Sequence, residues 1–189
     1  TKTSHNNWWT PLDLVKVLQA EFSFDLDAAA SAENAIAPRH ITKEQDALVT
    51  PWDGQRVWVN PPYGEGHSHS IRDFVQRGYE QHLEWHNTVV MLLPAYTDPR
   101  YWRDYCTKAH EIRFLTGRLA FLDGGVKHMS ARFPSALVIW KWFPGQCYKG
   151  AHVWTWDWRA ECSAVHALEK VRVTTGVYWN LVHAQCVMG

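Results

Sequence analysis

The sequence predicts an α/β fold with a mainly parallel sheet and helices on both faces. Three observations lead there. Short β-branched and aromatic runs alternate with amphipathic segments along most of the chain. The run Thr88-Val89-Val90-Met91-Leu92-Leu93 is almost wholly apolar and stops at Pro94, the pattern of a strand covered on both faces. The run Val57-Trp58-Val59 ends as sharply, at Asn60-Pro61-Pro62-Tyr63, because neither proline can continue a ladder.

The elements follow in order. Thr10-Pro11-Leu12-Asp13 reads as a helix start, with Thr10 as cap, Pro11 in the first turn and Asp13 at the positive end of the dipole. That helix runs to about residue 20 with Leu14, Val15 and Leu18 inward. Residues 22–26 read as a strand that ends in acids and the small run Ala28-Ala29-Ala30-Ser31. A short helix is expected over 31–37, closed by Pro38. The motif strand at 57–59 comes next, then a helix over about 68–83 with Ile71, Phe74 and Val75 inward. After the apolar strand at 88–93, a helix is expected over about 99–108. Residues 112–115 and 135–142 are strands, with Asp123-Gly124-Gly125 a turn between them. The alternating tryptophans of Val153-Trp154-Thr155-Trp156-Asp157-Trp158 suggest a late strand, and 163–171 a helix. No repeat, linker or low-complexity stretch divides the chain, so one domain is expected across residues 1–189.

Composition sets limits. At 189 residues and 46% hydrophobic, the chain can bury a core. Twelve tryptophans are more than a core needs, so loop residues such as Trp8 and Trp9 can line a cleft. Formal net charge is zero, which gives no general attraction to a polyanion but permits a local basic face. Cys106, Cys147, Cys162 and Cys186 show no Cys-x-x-Cys spacing, so they read as reduced thiols and no metal is expected. His67 and His69 read as part of a polar loop. Neither a signal peptide nor an apolar stretch of about 18 residues is seen, so the expectation is a cytoplasmic protein without a membrane partner.

The chemistry concentrates at Asn60, Pro61, Pro62 and Tyr63. An exocyclic amine on a conjugated ring, such as adenine N6, is a poor nucleophile because its lone pair is delocalised into the ring. Acceptors on its N–H groups free that lone pair. The Asn60 side-chain oxygen and the Pro61 carbonyl are two such acceptors on a turn stiffened by two prolines. Tyr63 offers a face for base stacking, worth roughly 1–3 kcal/mol. The same tetrapeptide also serves as a plain turn after an edge strand. Strand carboxyl ends are where such sheets bind ligands, so residues 25–31 and 60–63 are expected to share one cleft.

An ordered set of segments extends beyond that motif: Trp9-Thr10-Pro11, Phe24-Asp25-Leu26-Asp27-Ala28-Ala29-Ala30-Ser31, Glu44-Gln45-Asp46-Ala47-Leu48 with Trp52, Asn60-Pro61-Pro62-Tyr63, Leu92-Leu93-Pro94, and Phe114-Leu115-Thr116-Gly117-Arg118-Leu119-Ala120-Phe121. In this order, over about residues 8–143, they resemble the phage-type, Dam-like DNA N6-adenine methyltransferases. The stretch after about 145 carries no resemblance. The resemblance implies a Rossmann-like fold using S-adenosyl-L-methionine (SAM), DNA as partner, base flipping and a role in restriction evasion. Asn-Pro-Pro-Tyr alone also occurs in methyltransferases acting on protein glutamine or RNA bases, so those substrates stay open beside DNA.

Under the resemblance, Trp9, Thr10 and Pro11 bind the cofactor, with Thr10 at the methionine part of SAM, although Thr10 equally suits a helix cap. Asp25 or Asp27 takes the SAM ammonium or ribose, with Asp27 the better placed. Ala28 and Ala29 allow close approach, where the wider methyltransferase pattern has glycines. Asp46 accepts from the cofactor's adenine amino group, or serves as a turn acid. Arg118 contacts DNA phosphate or makes a structural ion pair. Phe121 or Phe133 forms the second side of a base sandwich, or core. Lys127, His128 and Arg132 extend the DNA-facing segment, with the loop at 64–70 opposite.

Overall fold

The computed structural model describes residues 8–63, 69–127, 130–143 and 150–175. In chain order the elements are β1 (Trp8–Trp9), α1 (Leu12–Phe22), β2 (Leu26–Asp27), β3 (Arg39–His40), β4 (Arg56–Val59), α2 (Ile71–Trp85), β5 (Thr88–Pro94), α3 (Arg100–Asp104), β6 (Glu111–Leu115), β7 (Leu122–Asp123), β8 (Val126–Lys127), β9 (Ser135–Trp140), β10 (His152–Trp156) and α4 (Trp158–Thr175). A 3-10 turn, Cys106–Lys108, follows α3.

The main sheet has seven strands in the order β10-β6-β9-β5-β4-β2-β3. Every neighbour is parallel except β9, which runs antiparallel between β5 and β6. The expected mainly parallel α/β fold is therefore present. Strand periodicity explains the two layers. Val57, Val59, Val89, Met91 and Leu93 point to one face, where they pack with Phe74 and Val75 of α2 and Tyr101 and Trp102 of α3. Trp58, Val90 and Leu92 point to the other, with Leu14, Val17, Leu18 and Phe22 of α1 and Trp158 and Cys162 of α4. The stretch after residue 145 thus adds β10 and α4 to the same core.

Local chemistry sets the ends. Ser70 and Asp73 form a reciprocal capping box at the start of α2, and His86 closes that helix in the left-handed region. Several expectations are corrected. The cap of α1 is Pro11, not Thr10, and no side chain caps it. Val17 replaces Val15 on the buried side of α1. Phe22 still belongs to α1, which a left-handed Ser23 ends, so the next strand is only Leu26–Asp27. Residues 31–37 form a turn rather than a helix, because the Ile36 N–H, which a helix would turn back onto residue 32, is taken by the Asp27 carboxylate. The helix expected over 99–108 breaks at Tyr105 into α3 and the 3-10 turn.

One glycine is required by close approach. A Cβ on Gly54 would lie 2.7 Å from Leu26 Cβ and 2.9 Å from Asp25 Oδ1. Leu26 Cβ is fixed to the β2 backbone and cannot yield. Gly54→Ala is expected to destabilise the fold by about 1–3 kcal/mol, read as a lower urea midpoint.

Candidate active site

β2 and β4 are parallel neighbours, with Asp27 opposite Trp58 in register. The turn at Asn60 therefore begins two residues beyond Asp27, at the same carboxyl edge. That position suits a ligand cleft in an open parallel sheet.

Asn60 is held from three sides. Its Nδ2 donates to the Trp8 carbonyl at 2.8 Å and to Thr10 Oγ1 at 3.3 Å. Its Oδ1 lies 2.7 Å from the Tyr63 hydroxyl, which is also 2.7 Å from the Leu92 carbonyl. A phenol has one proton to donate, so these two acceptors share it. The Asn60 oxygen can thus be released to another donor while Tyr63 keeps Leu92. Burial pushes the Tyr63 phenol well above its ordinary value, so it remains a neutral donor.

The structure places the Tyr63 ring differently from the sequence-based expectation. It is 7% exposed. It meets Phe121 edge-on at 5.9 Å and Phe133 at 5.7 Å. In this arrangement its face is covered, and stacking on a base requires the ring to turn out. Phe121 is fully buried in the same cluster, whereas Phe133 is half-buried. Tyr96, two residues after β5 and 48% exposed, stands 6.2 Å from Phe133. Sequence reading missed it, although a strand-end position next to the motif strand was the available signal.

Asp27 is 2% exposed and accepts from the N–H groups of Ala29 at 3.3 Å and Ile36 at 3.1 Å. Burial raises its pKa to about 7, against the lowering effect of those two N–H groups. A proton is then held more tightly in the folded than in the unfolded chain. By linkage, Asp27 makes the fold less stable as pH rises from about 4 to 7, and has no further effect above that. Asp27→Asn is expected to remove this fall, measured as urea stability of both chains across that range. A buried carboxylate whose burial no neighbouring cation among the described residues offsets suits an ammonium or ribose hydroxyls, and the small Ala28 and Ala29 leave room beside it.

Asp25 is a correction. It lies at the amino end of β2, about 13 Å along the strands from Asn60. Its carboxylate accepts from Gln55 N at 3.0 Å and Arg56 N at 2.9 Å. It ties β2 to β4 and does not face the cleft. Asp46 has φ 56, and its pKa is lowered first by the Leu48 N–H and then by His69. His69 Nε2 stands 3.1 Å from Asp46 Oδ1, so the far end of the motif loop reaches this acid.

A second, small antiparallel sheet, β1-β7-β8, carries Trp8 and Trp9 opposite Asp123 and Leu122. Through the Trp8 carbonyl it is joined to Asn60. No sequence signal could show that bond, because the acceptor is a backbone group 52 residues away. Thr10 is 6% exposed beside Asn60, and Pro11 opens α1. The indole N–H of Trp9 is buried without a partner among the described residues. Arg118 and Arg132 are exposed, and Lys127 lies on β8. Gly64 to Ser68, with His67, and His128 lie outside the described residues.

Among the described residues, no helix is long and apolar enough to cross a membrane. Two curated relatives are phage proteins, each named DNA N-6-adenine-methyltransferase. One, from Haemophilus phage HP1 (strain HP1c1), is 33% identical over 146 residues, covering 74% of this chain and 81% of the relative. The other, from Escherichia phage T1, is 31% identical over 134 residues, covering 62% of this chain and 54% of the relative. The chain therefore spans about half the length of the phage T1 protein. A family model for DNA N-6-adenine-methyltransferases (Dam) matches residues 1–155, which take in Trp8 and Thr10, the Asp27 turn, Asn60 to Tyr63 and the small sheet. On that match the chain belongs to the DNA N-6-adenine-methyltransferase (Dam) family, and a methyl donor is implied for it.

Proposed function

We propose that this protein methylates the N6 of adenine in DNA, with SAM as donor, after the base has left the stack. The observation that carries the reading is Asn60, held rigidly at a strand end beside the buried Asp27. SAM supplies an electrophilic methyl group on its sulfonium. Asp27 takes the cofactor's ammonium or ribose, Asp46 its adenine amino group, and Trp9, Thr10 and Pro11 line the methionine side.

Extruding adenine costs a few kcal/mol, which contacts in the pocket offset. Asn60 Oδ1 then exchanges the Tyr63 hydroxyl for the amino group, and the Pro61 carbonyl accepts the second N–H. These acceptors stabilise the positive charge that grows on nitrogen, and Pro62 keeps the turn stiff. Tyr63 turns outward to stack, giving up its bond to the Leu92 carbonyl, or it keeps that bond while Phe133 and Tyr96 provide the face. The proton leaves to water after transfer. Arg118, Lys127 and Arg132 contact phosphates, and Phe121 backs the pocket. On this reading the protein acts in the cytoplasm of a bacterial host.

Nucleoside mass spectrometry of unmethylated DNA incubated with protein and SAM, with RNA alongside, tests it. N6-methyladenine in DNA is the expected product. Modification of RNA alone, or of neither polymer while SAM binds, overturns it. Tyr63→Phe is expected to keep most of the rate, since the ring remains. Tyr63→Ala should lose both turnover and DNA affinity, read as kcat and KM.

A further inference from the structure

The contact between α1 and α4 holds side chains that methyl transfer does not use. Asp13 lies in the first turn of α1, while Cys162 and His166 lie four residues apart on α4. That spacing stacks the last two on one face of the helix. Cys162 Sγ is 3.6 Å from His166 Nδ1, and His166 Nε2 is 3.9 Å from Asp13 Oδ1. One donor atom from each residue lies within 4.8 Å of the other two. Among the described residues no other group of three His, Cys, Asp or Glu meets that condition.

We propose that Asp13, Cys162 and His166 form a binding site for a borderline-soft divalent cation, of which Zn²⁺ is the best match. A thiolate, an imidazole and a carboxylate are zinc's ordinary ligands, and three of them leave a fourth position for water. Cys162 is 7% exposed and sits in the core cluster, so it is the fixed ligand. His166 is half-buried and Asp13 exposed, so both can rotate inward. Cys162 and Asp13 approach opposite nitrogens of the His166 ring, so an ion takes one of them, and the three donor atoms close from within 4.8 Å of one another to roughly 3.5 Å, the spacing of ligands bonded at about 2.0–2.3 Å in a tetrahedron. Lys16 opposes the ion: its Nζ is 3.2 Å from His166 Nε2. Lys16 is exposed, so its ammonium can swing into water when the ion arrives. Binding converts the Cys162 thiol to a zinc-bound thiolate and releases one proton to solvent, so affinity rises with pH.

The site joins α4, which lies beyond the residues matched by the family model, to the start of α1. Thr10, three residues before Asp13, carries the hydroxyl that Asn60 touches. The bound ion is thus a staple across the two helices behind the Asn60 turn. It rests on no assumption about methyl transfer.

Co²⁺ titration of the full chain tests this. One equivalent should give a thiolate-to-cobalt charge-transfer band and tetrahedral visible bands, both displaced by Zn²⁺. Cys162→Ser should abolish the charge-transfer band, and His166→Ala should weaken binding by at least about tenfold. Lys16→Met, at an exposed position, should tighten binding several-fold. The proposal is overturned if no such band forms, or if the band survives in Cys162→Ser. It is equally overturned if affinity is unchanged in both His166→Ala and Lys16→Met.

Discussion

Asn60→Ala is expected to lower the methylation rate by about a hundred- to a thousandfold, with SAM affinity nearly unchanged. The magnitude is that of deleting one preorganised polar group aimed at developing charge. The alanine loses the acceptor for N6 and also the donor to the Trp8 carbonyl and Thr10. Asn60→Asp separates the two effects. It keeps an oxygen acceptor but sets a carboxylate against the Trp8 carbonyl, so it should retain part of the rate only if that anchor is dispensable. Single-turnover rates with a defined adenine-containing duplex, alongside SAM titration, give both numbers. A wild-type rate in Asn60→Ala would remove Asn60 from the mechanism.

Arg113→Ala is expected to cost about 3–5 kcal/mol of stability, the usual result of deleting one partner of a buried ion pair. Arg113 on β6 is 5% exposed. Its guanidinium meets both oxygens of Glu21, at 2.6 and 2.5 Å, and Glu111 at 2.7 Å. It also lies 5.6, 5.4 and 5.1 Å from the ring centres of Phe22, Trp154 and Trp156. Burial alone would raise the Glu111 pKa, but Arg113, together with the Trp154 indole and Lys141, outweighs it and holds the carboxyl below its ordinary value. That contribution is complete above about pH 4.5 and fades as pH falls through the lowered value. In the alanine variant Glu21 can turn to water, while Glu111, 8% exposed, stays buried with the Trp154 indole and, at 3.7 Å, Lys141. Urea unfolding at neutral pH checks the size. A loss below about 1 kcal/mol would mean the site hydrates freely.

The parts legible in the sequence were those governed by neighbours along the chain. The continuous apolar run of β5, the proline stop after β4 and the hydrophobic spacing of α2 each depend on a few adjacent residues, and all three appear in the structure. What was illegible depends on distant partners. Thr10 looks like a cap, yet its hydroxyl faces Asn60. Asp25 looks like a strand-end ligand, yet the N–H groups of Gln55 and Arg56, at the start of β4, occupy it. Two-residue strands such as β1, β7 and β8 have no periodicity to detect. The Tyr63 ring reads as a stacking surface because it follows the motif strand at a carboxyl end, where such sheets bind ligands. The ring packs on Phe121 and Phe133, about sixty and seventy residues away in the chain and hence beyond any local pattern. Cys162 and His166 carry no cysteine-to-cysteine metal spacing, and Asp13, which meets them, lies near the other end of the chain.

The antiparallel placement of β9 has a consequence for how the chain acquires its shape. β5 lies at the middle of the sheet, and one of its flanks is occupied by a strand some forty residues later. During synthesis β2, β3, β4 and β5 can assemble while that flank still presents open peptide groups and an almost wholly apolar surface. Such an edge recruits other chains as readily as its own missing strand. Escape depends on how soon residues 135–140 leave the ribosome and slot between β5 and β6. Yield of recoverable protein is therefore set by a race between insertion and self-association, a quantity governed by temperature and expression rate rather than by the stability of the finished sheet.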